Sequence, residues 1–319
     1  MDWQGTGWEM ELTETKNTTD HPYKCSWVPP HDEIILYVFL NILFSCLAVC
    51  SNFVFMLAVF KTPNLQTVSN FFLCSLALAD FSAGLFVNPL YSCIVLFGVS
   101  PSGLWLSKVE KFVWIQTLVC NTFSLALVSI DRYIAVLYPL KYYTIINERT
   151  CLSSILCVWV LSILLALPAP FISEKGVAIL WSIGGVISVV FPFIIISYCY
   201  FHIFAAVRRQ ATRVEPPPGS AVSQCGQIRS VTSAQRQQKA AVTTAIIVVF
   251  FVVLFSPNFV FAFLYALAEE ECDQAAVLRS WLWGVLVAYS GSFINPWIYG
   301  LRSKEFKNAF NQMFRCRNW

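Results

Sequence analysis

Charged residues are absent from long stretches of this sequence, and this absence limits the available folds more than any other feature. Between Glu33 and Lys61 lie 27 uncharged residues, and between Lys61 and Lys108 the only charge is Asp80. Further uncharged runs cover 112–130, 150–173, 176–207, 240–268 and 280–301. Each is close to the roughly 20 apolar residues that a membrane-spanning helix needs. Only 12% of the 319 residues are charged, against about 25% in a soluble domain. The chain is therefore predicted to cross a membrane.

Seven such segments predict an all-α membrane protein, because lipid leaves backbone groups no partner except within a helix or a closed barrel. We place the seven helices of the bundle, residues 34–301, at about 34–60, 67–96, 105–138, 150–171, 177–208, 235–268 and 277–301. Prolines are expected to kink several of them, at Pro89, Pro168, Pro192, Pro257 and Pro296. Residues 209–238, rich in Pro, Gly, Ser and Gln, are predicted to be a disordered loop. Residues 302–319 carry an apolar stripe opposite two lysines, which predicts an amphipathic helix on the membrane surface.

The N-terminal segment, residues 1–33, is predicted to be extracellular. With this orientation the inner segments hold 15 Lys and Arg and the outer segments 6, which fits the cytoplasmic excess of basic residues. Asn17, in the sequon NTT, is then a candidate glycosylation site. Cys316, flanked by two arginines in the inner tail, is a candidate palmitoylation site, with an unmodified thiol as the alternative.

Asp80 is the only ionisable residue that these assignments place deep inside a span. A charge at that depth costs about 2.5–3.5 kcal/mol on insertion scales, so it is a functional candidate, with a neutral hydrogen-bonded acid as the alternative. Its expected neighbours are Asn52, Asn121, Ser292 and Asn295. Oxygen groups around one carboxylate suit a small hard cation or a bound proton. An ion transporter or channel using Asp80 is a second interpretation, but the sequence shows none of the internal repeats typical of transporters.

Asp131 and Arg132 lie side by side at the predicted inner end of the third span. The acid can hold the guanidinium in a resting position, and water is expected to reach this depth, so that a few kcal/mol suffice to release it. The alternative is a helix end whose charged side chains extend to the interface.

Most of the spans carry a short motif. In chain order these are Ser51-Asn52, "LALAD" ending at Asp80, Asp131-Arg132-Tyr133, Trp159, Pro192 with Tyr200, Phe251 with Pro257, and "NPWIY" from Asn295 to Tyr299. With these motifs in this order, the sequence resembles the rhodopsin-like (class A) G-protein-coupled receptors over essentially its whole length.

The resemblance implies that an extracellular ligand changes the packing of the bundle and that the sixth helix swings outward at its inner end. The cavity so opened accepts a heterotrimeric G protein, and the residues implied in this switch are Asp131, Arg132, Tyr133, Leu140, Tyr200 and Tyr299. A sodium ion bound by Asp80, Asn121, Ser292 and Asn295 would favour the resting state. The resemblance further implies a plasma-membrane location, arrestin and receptor kinases as partners, no nucleic acid and no enzymatic activity.

Three departures from the family pattern change these expectations. The usual cysteine at the top of the third helix is Ser107 here, and Cys25 and Cys272 are expected to pair instead, with Cys93 as the competing partner. Phe255 stands where most relatives have Trp, so it offers no hydrogen bond to the seventh helix. The foot of the sixth helix, "QRQQKAA", lacks the usual acid. Only Asp131 is therefore expected to hold the arginine of the switch, which predicts basal activity.

The ligand pocket implied by the resemblance is mostly apolar, as small-molecule sites usually are. Its expected lining is Trp114, Thr117, Leu118, Phe255, Asn258, Phe259 and Tyr289. Trp114 replaces the Asp of amine receptors and Tyr289 the Lys of opsins, which disfavours an amine and excludes retinal. A small molecule or lipid is favoured, and a cationic peptide attracted by the outer acids is the alternative.

Overall fold

The computed structural model describes residues 29–97, 105–171, 186–211 and 224–315. Within these ranges the chain forms helices joined by turns, and seven of the helices are long and apolar enough to cross a membrane. In chain order the helices are α1 (His31–Lys61), α2 (Val68–Leu96), α3 (Trp105–Leu137), α4 (Glu148–Ala166), α5 (Phe191–Ala211), α6 (Gln224–Leu267), α7 (Glu271–Arg302) and α8 (Lys304–Arg315). The predicted seven-helix membrane bundle with a C-terminal helix is confirmed.

The two helices that flank the third inner loop extend farther into it than predicted. α5 continues to Ala211 and α6 begins at Gln224, so both ends of the loop predicted at 209–238 are helical. Residues 212–223, the rest of that loop, lie outside the described ranges. α7 also begins earlier than predicted, at Glu271.

The prolines act on the helices in two ways. Pro89 and Pro192 each follow a π-helical turn, Ala83–Val87 and Val186–Val190 respectively. Proline donates no hydrogen bond and its ring crowds the carbonyl four residues earlier, so a wider turn before it relieves the contact. Pro168 was predicted to interrupt a span, which is wrong because α4 ends two residues before it.

α3 lies at the centre of the bundle and contacts α2, α4, α5 and α6. The outside of the bundle is strongly apolar, with Phe39, Leu156 and Phe201 each more than 60% exposed. A surface of this kind is unfavourable in water but suits the hydrocarbon of a bilayer.

Polar side chains connect three of the helices through the core. The indole Nε1 of Trp159 in α4 donates to Ser75 Oγ in α2 at 3.1 Å, and this hydroxyl lies 3.2 Å from Ser124 Oγ in α3. Hydrogen bonds between membrane helices contribute only about 0.6 kcal/mol each on average. We infer that these bonds fix the relative positions of the helices, while close packing supplies most of the stability.

α8 lies at the end of the bundle that holds Asp131, which we call the inner end after the predicted orientation. Two residues of its apolar stripe, Phe306 and Ala309, are buried, and the Phe306 ring stacks on Phe55 of α1 with centroids 5.0 Å apart. Lys304 and Lys307 on the opposite face are exposed. Part of the stripe predicted to face the membrane therefore packs on the protein.

Candidate functional site

Asp131 and Arg132 form an ion pair at the inner end of α3. Arg132 Nε donates to Asp131 Oδ2 at 2.9 Å, and Nη2 contacts the same oxygen. The two residues are 1% and 8% exposed. The expectation that water reaches the pair is therefore wrong for this conformation, because the surrounding helices cover it.

Two further side chains take part in this ion pair. Ser69 of α2 donates to Asp131 Oδ2 at 2.9 Å, and its hydroxyl also contacts Arg132 Nη2. Tyr142, in the short helix Tyr142–Ile145 after α3, donates to Asp131 Oδ1 at 2.7 Å. Burial and the neighbouring Asp131 carboxylate raise the pKa of Tyr142, so the hydroxyl stays protonated and remains a donor. The prediction that only Asp131 holds Arg132 is therefore wrong.

The other residues assigned to the switch differ in their exposure and in their position relative to this ion pair. Tyr200 of α5 is 8% exposed and close enough to Arg132 for an electrostatic interaction. Tyr133 faces α5, where its ring contacts other aromatic rings. Leu140 is 96% exposed at the inner surface. The side chain of Tyr299 lies outside the described part of the chain.

Asp80 is 3% exposed in the middle of the bundle and accepts a hydrogen bond of 2.7 Å from Asn295 Nδ2. A cavity of about 30 Å³ adjoins it, lined by Asp80, Asn121, Ser292, Asn295 and apolar residues of α2, α3, α6 and α7. Asn52, a predicted neighbour, reaches this region indirectly by donating to the Ser292 carbonyl at 2.8 Å.

The residues beside this cavity fit a small hard cation. Asn121 Oδ1 is buried and has no hydrogen-bond partner in the described protein, and the Asp80 carboxylate supplies charge close by. Hard cations such as sodium prefer carboxylate, amide and hydroxyl oxygens. A cavity of this size is large enough for an occupant the size of a water molecule.

On α3 and α7 the predicted pocket residues come together. Trp114 and Tyr289 pack in one apolar cluster, and the Tyr289 hydroxyl is buried with no hydrogen-bond partner among the described residues. Thr117 donates its hydroxyl to the backbone carbonyls of the preceding turn, at 2.8 and 3.0 Å. Leu118 is partly buried, whereas Phe259 of α6 is 47% exposed.

On α6 the predicted pocket residues contact neighbouring helices. Phe255 stacks on Phe251 with centroids 4.6 Å apart and lines the cavity beside the buried acid. Asn258, one of the predicted pocket residues, donates to the Gly284 carbonyl at 3.1 Å and accepts from Trp281 Nε1 at 2.9 Å. Asn258 thus connects α6 to α7. Phe255 makes no such connection, because its ring carries no hydrogen-bond donor.

Cys272 at the start of α7 is disulfide-bonded, and Cys93 is a free thiol. Cys93 is therefore excluded as its partner. Cys25, the expected partner, lies outside the described residues, as do the candidate modification sites Asn17 and Cys316.

Sequence reasoning missed Ser69, Tyr142 and Trp281. Ser69 lies 62 positions before Asp131, and no local pattern links the two. Tyr142 could have been considered, because a tyrosine soon after an acid at a helix end can fold back onto it. Its contact with Asp131, 11 positions away, depends on the short loop helix.

The seven helices, the buried acid of α2 and the ion pair of α3 together define a seven-transmembrane receptor. The profile described as "7 transmembrane receptor (rhodopsin family)" matches residues 51–299. The chain belongs to this family, and it is a rhodopsin-like G-protein-coupled receptor. Since this is a family of receptors, the interpretation as a transporter or channel is set aside.

Three curated relatives illustrate the level of similarity. The alpha-1A adrenergic receptor of Bos taurus is 27% identical over 336 aligned positions, covering 92% of this chain and 71% of the relative. The alpha-1D adrenergic receptor of Mus musculus is 28% identical, covering 85% and 55%. The histamine H2 receptor of Rattus norvegicus is 26% identical, covering 90% and 82%. The chain thus spans between about half and four fifths of these relatives.

Proposed function

We propose that this receptor acts at the plasma membrane with its N-terminus outside, binds an extracellular ligand and activates heterotrimeric G proteins. The observation that carries the proposal is the buried ion pair of Asp131 and Arg132, beside the exposed Leu140. An arginine whose ion-pair partner is the adjacent acid of its own helix can be released by a modest change in helix packing and can then bind carbonyl groups of a partner. Leu140 offers an apolar contact for the same partner.

Activation in this proposal begins with an outward swing of α6 at its inner end. The inner end of α6 carries no acid that would attract Arg132 and resist this movement. Arg132 then leaves Asp131, and Tyr133, Tyr200 and Tyr299 line the opened cavity. Because the ion-pair partner of the arginine lies on its own helix, we expect measurable G-protein activation without ligand.

Asp80, Asn121, Ser292 and Asn295 would hold a sodium ion. When bound, the ion would supply positive charge that neutralises the buried carboxylate. The Asn295–Asp80 hydrogen bond of 2.7 Å already connects α7 to α2 in the described conformation. An occupied site would strengthen this connection and favour the resting state.

The ligand is proposed to be a small molecule or lipid that contacts Trp114, Phe255 and Tyr289. Two of the relatives are named adrenergic receptors and one a histamine receptor. Trp114 stands at the position that carries the counter-ion in amine receptors, so an amine would need a different partner here. A cationic peptide attracted by the exposed acids Glu269 and Glu270 is the alternative.

G-protein activation in cells without added ligand tests the proposal directly. Wild type should show basal activation, and Arg132→Ala at equal surface expression should reduce it to the level of untransfected cells. Leu140→Ala should reduce coupling while leaving the ion pair in place. Equal signals from wild type and Arg132→Ala, or no basal signal at all, would contradict the proposal of basal activity through Arg132.

A further inference from the structure

Glu110 is a buried acid in the outer part of α3 that the proposed switch does not use. It is 8% exposed, and it makes no hydrogen bond or ion pair with the residues that the structure describes. The adjacent Lys111 acts on it only through longer-range electrostatics. A largely buried carboxylate without a partner is unfavourable, so a cation or a hydrogen-bond donor that contacts Glu110 would be bound favourably.

Three tyrosines from three other helices lie near this acid. Tyr37 of α1, Tyr91 of α2 and Tyr289 of α7 each interact electrostatically with Glu110. The Tyr91 ring contacts both of the others edge to face, with centroids 6.2 Å from Tyr37 and 6.4 Å from Tyr289. We call Glu110, Tyr37, Tyr91 and Tyr289 the Glu110 cluster.

The chemistry of the Glu110 cluster favours an organic cation. A carboxylate provides the countercharge, and the electron-rich faces of aromatic rings attract ammonium groups through cation–π interactions. The hydroxyls of Tyr37 and Tyr289 are buried without partners in the described protein and can accept hydrogen bonds from an N–H donor. A hard metal ion would need several carboxylates or carbonyls, and the described residues contain no group of three metal-ligating side chains.

The position of Glu110 relative to the predicted pocket supports the same conclusion. Glu110 lies four residues before Trp114, one helical turn toward the outer end and on the same face of α3. Tyr289 belongs to the Glu110 cluster and also packs against Trp114. A single ligand could therefore place its cationic group at Glu110 and the rest of its structure against Trp114.

We propose that the Glu110 cluster binds the ammonium group of the receptor's ligand and replaces the acid that is missing at Trp114. This inference rests on the proposed function, since it names the chemical class of the ligand that enters from the outer end.

Thermal unfolding of the full-length receptor purified in lipid nanodiscs tests the inference without a known ligand. The probe is tetramethylammonium chloride, added up to about 100 mM over a constant sodium chloride background and compared with equal additions of sodium chloride. We expect the probe to raise the unfolding temperature of wild type. Glu110→Gln should weaken its apparent affinity at least about tenfold, because the countercharge is lost. Glu270→Gln, which removes an exposed acid, should leave the affinity unchanged.

Tyr91 variants test the contribution of the rings. Tyr91→Phe keeps the π face and should bind the probe like wild type, whereas Tyr91→Leu should bind about threefold to tenfold more weakly. Equal responses from wild type and Glu110→Gln, or no response from folded wild type, would overturn the inference. A marked fall in the unfolding temperature of Glu110→Gln without probe would also overturn it, since it would show that the acid serves an internal structural contact.

These measurements separate this inference from the proposed function. Probe binding is measured without a G protein, so a lack of basal signalling would not affect the result. Failure of the probe to bind would leave G-protein coupling untouched.

Discussion

Asp131 accepts hydrogen bonds from three side chains, and only one of them belongs to its charge partner. Arg132, Ser69 and Tyr142 all donate to its two oxygens. Hydrogen bonds to a charged group contribute about 1.5–3 kcal/mol each when buried. The free energy needed to release Arg132 therefore depends on the loop tyrosine and the α2 serine as well as on the ion pair.

Tyr142→Phe should raise basal G-protein activation roughly tenfold. The substitution removes the hydrogen bond to Asp131 Oδ1 but keeps the ring, and about 1.4 kcal/mol of lost stabilisation shifts the equilibrium by that factor. The measurement is nucleotide exchange without ligand at equal receptor density. Tyr143→Phe is the matched control, because Tyr143 is 81% exposed. Unchanged or lower basal activation in Tyr142→Phe would contradict the prediction.

Asp80→Asn should abolish the effect of sodium on the receptor. Basal activation of wild type is expected to be several-fold lower in sodium than in potassium at constant ionic strength, since the smaller ion fits the cavity. Asp80→Asn lacks the charge that holds the ion and should give the same activity in both salts. Asp273→Asn, which changes an exposed outer acid, should behave like wild type. A sodium effect that persists in Asp80→Asn would show that sodium acts at a site other than Asp80 and would contradict the prediction.

At the scale of helices, α1 and α2 approach each other closely at a place where their side chains are small. Ser45 Oγ donates to the Gly84 carbonyl at 2.6 Å, and a Cβ on Gly84 would lie 3.0 Å from the Ala48 Cβ. Small residues permit this approach in membrane bundles, where close packing provides most of the association energy. Gly84 also lies in the π-helical turn of α2, so the contact and the turn depend on each other.

Gly84→Ala should be less stable than Gly291→Ala by about 1–3 kcal/mol, because overpacking forces the helices apart. Both substitutions replace a helical glycine by alanine, so their difference reports mainly the steric cost at Gly84. At Gly291 the new Cβ would meet Leu254 at 3.4 Å, an ordinary contact. Unfolding temperatures in detergent provide the comparison, and equal values for the two variants would show that α1 and α2 can separate without cost.

At the scale of the whole molecule, the outer end of α7 is fixed at two points. Cys272 is disulfide-bonded, and Arg279 forms an ion pair with Glu33 of α1, which also accepts from Trp283 Nε1 at 2.9 Å. A cavity of about 400 Å³ lies between these residues. We propose that Cys25 is the partner of Cys272, which would attach the N-terminal segment beside this cavity.

Removal of this disulfide should lower the free energy of unfolding by about 2–4 kcal/mol. The loss should be the same in Cys25→Ser, in Cys272→Ser and in the double variant, because all three lack the same bond. The measurement is the unfolding temperature of purified receptor, with and without a reducing agent. Cys93→Ser should be neutral, since Cys93 is a free thiol. Additive losses in the double variant would show that the two cysteines do not pair with each other.

The sequence is most informative about features that repeat along the chain. The seven charge-free runs predict the seven spans because the bilayer excludes charge wherever a helix crosses it. Helix ends are less predictable, since α6 extends to Gln224 through polar residues that give no hydrophobic pattern. Pro168 shows the same difficulty, because a proline that follows a helix and one that kinks it look alike in a sequence.

The sequence by itself determined the family, the seven spans and the positions of Asp80 and of the Asp131–Arg132 pair, because motifs and charge distribution are local properties of the chain. Only the tertiary structure decided which side chains complete those sites. Ser69 and Tyr142 reach Asp131 through the packing of α2 and the short loop helix. Glu110 lies near the outer end of α3 in the sequence, and the fold buries it. Burial depends on helices far apart in the chain, and no local pattern reports it.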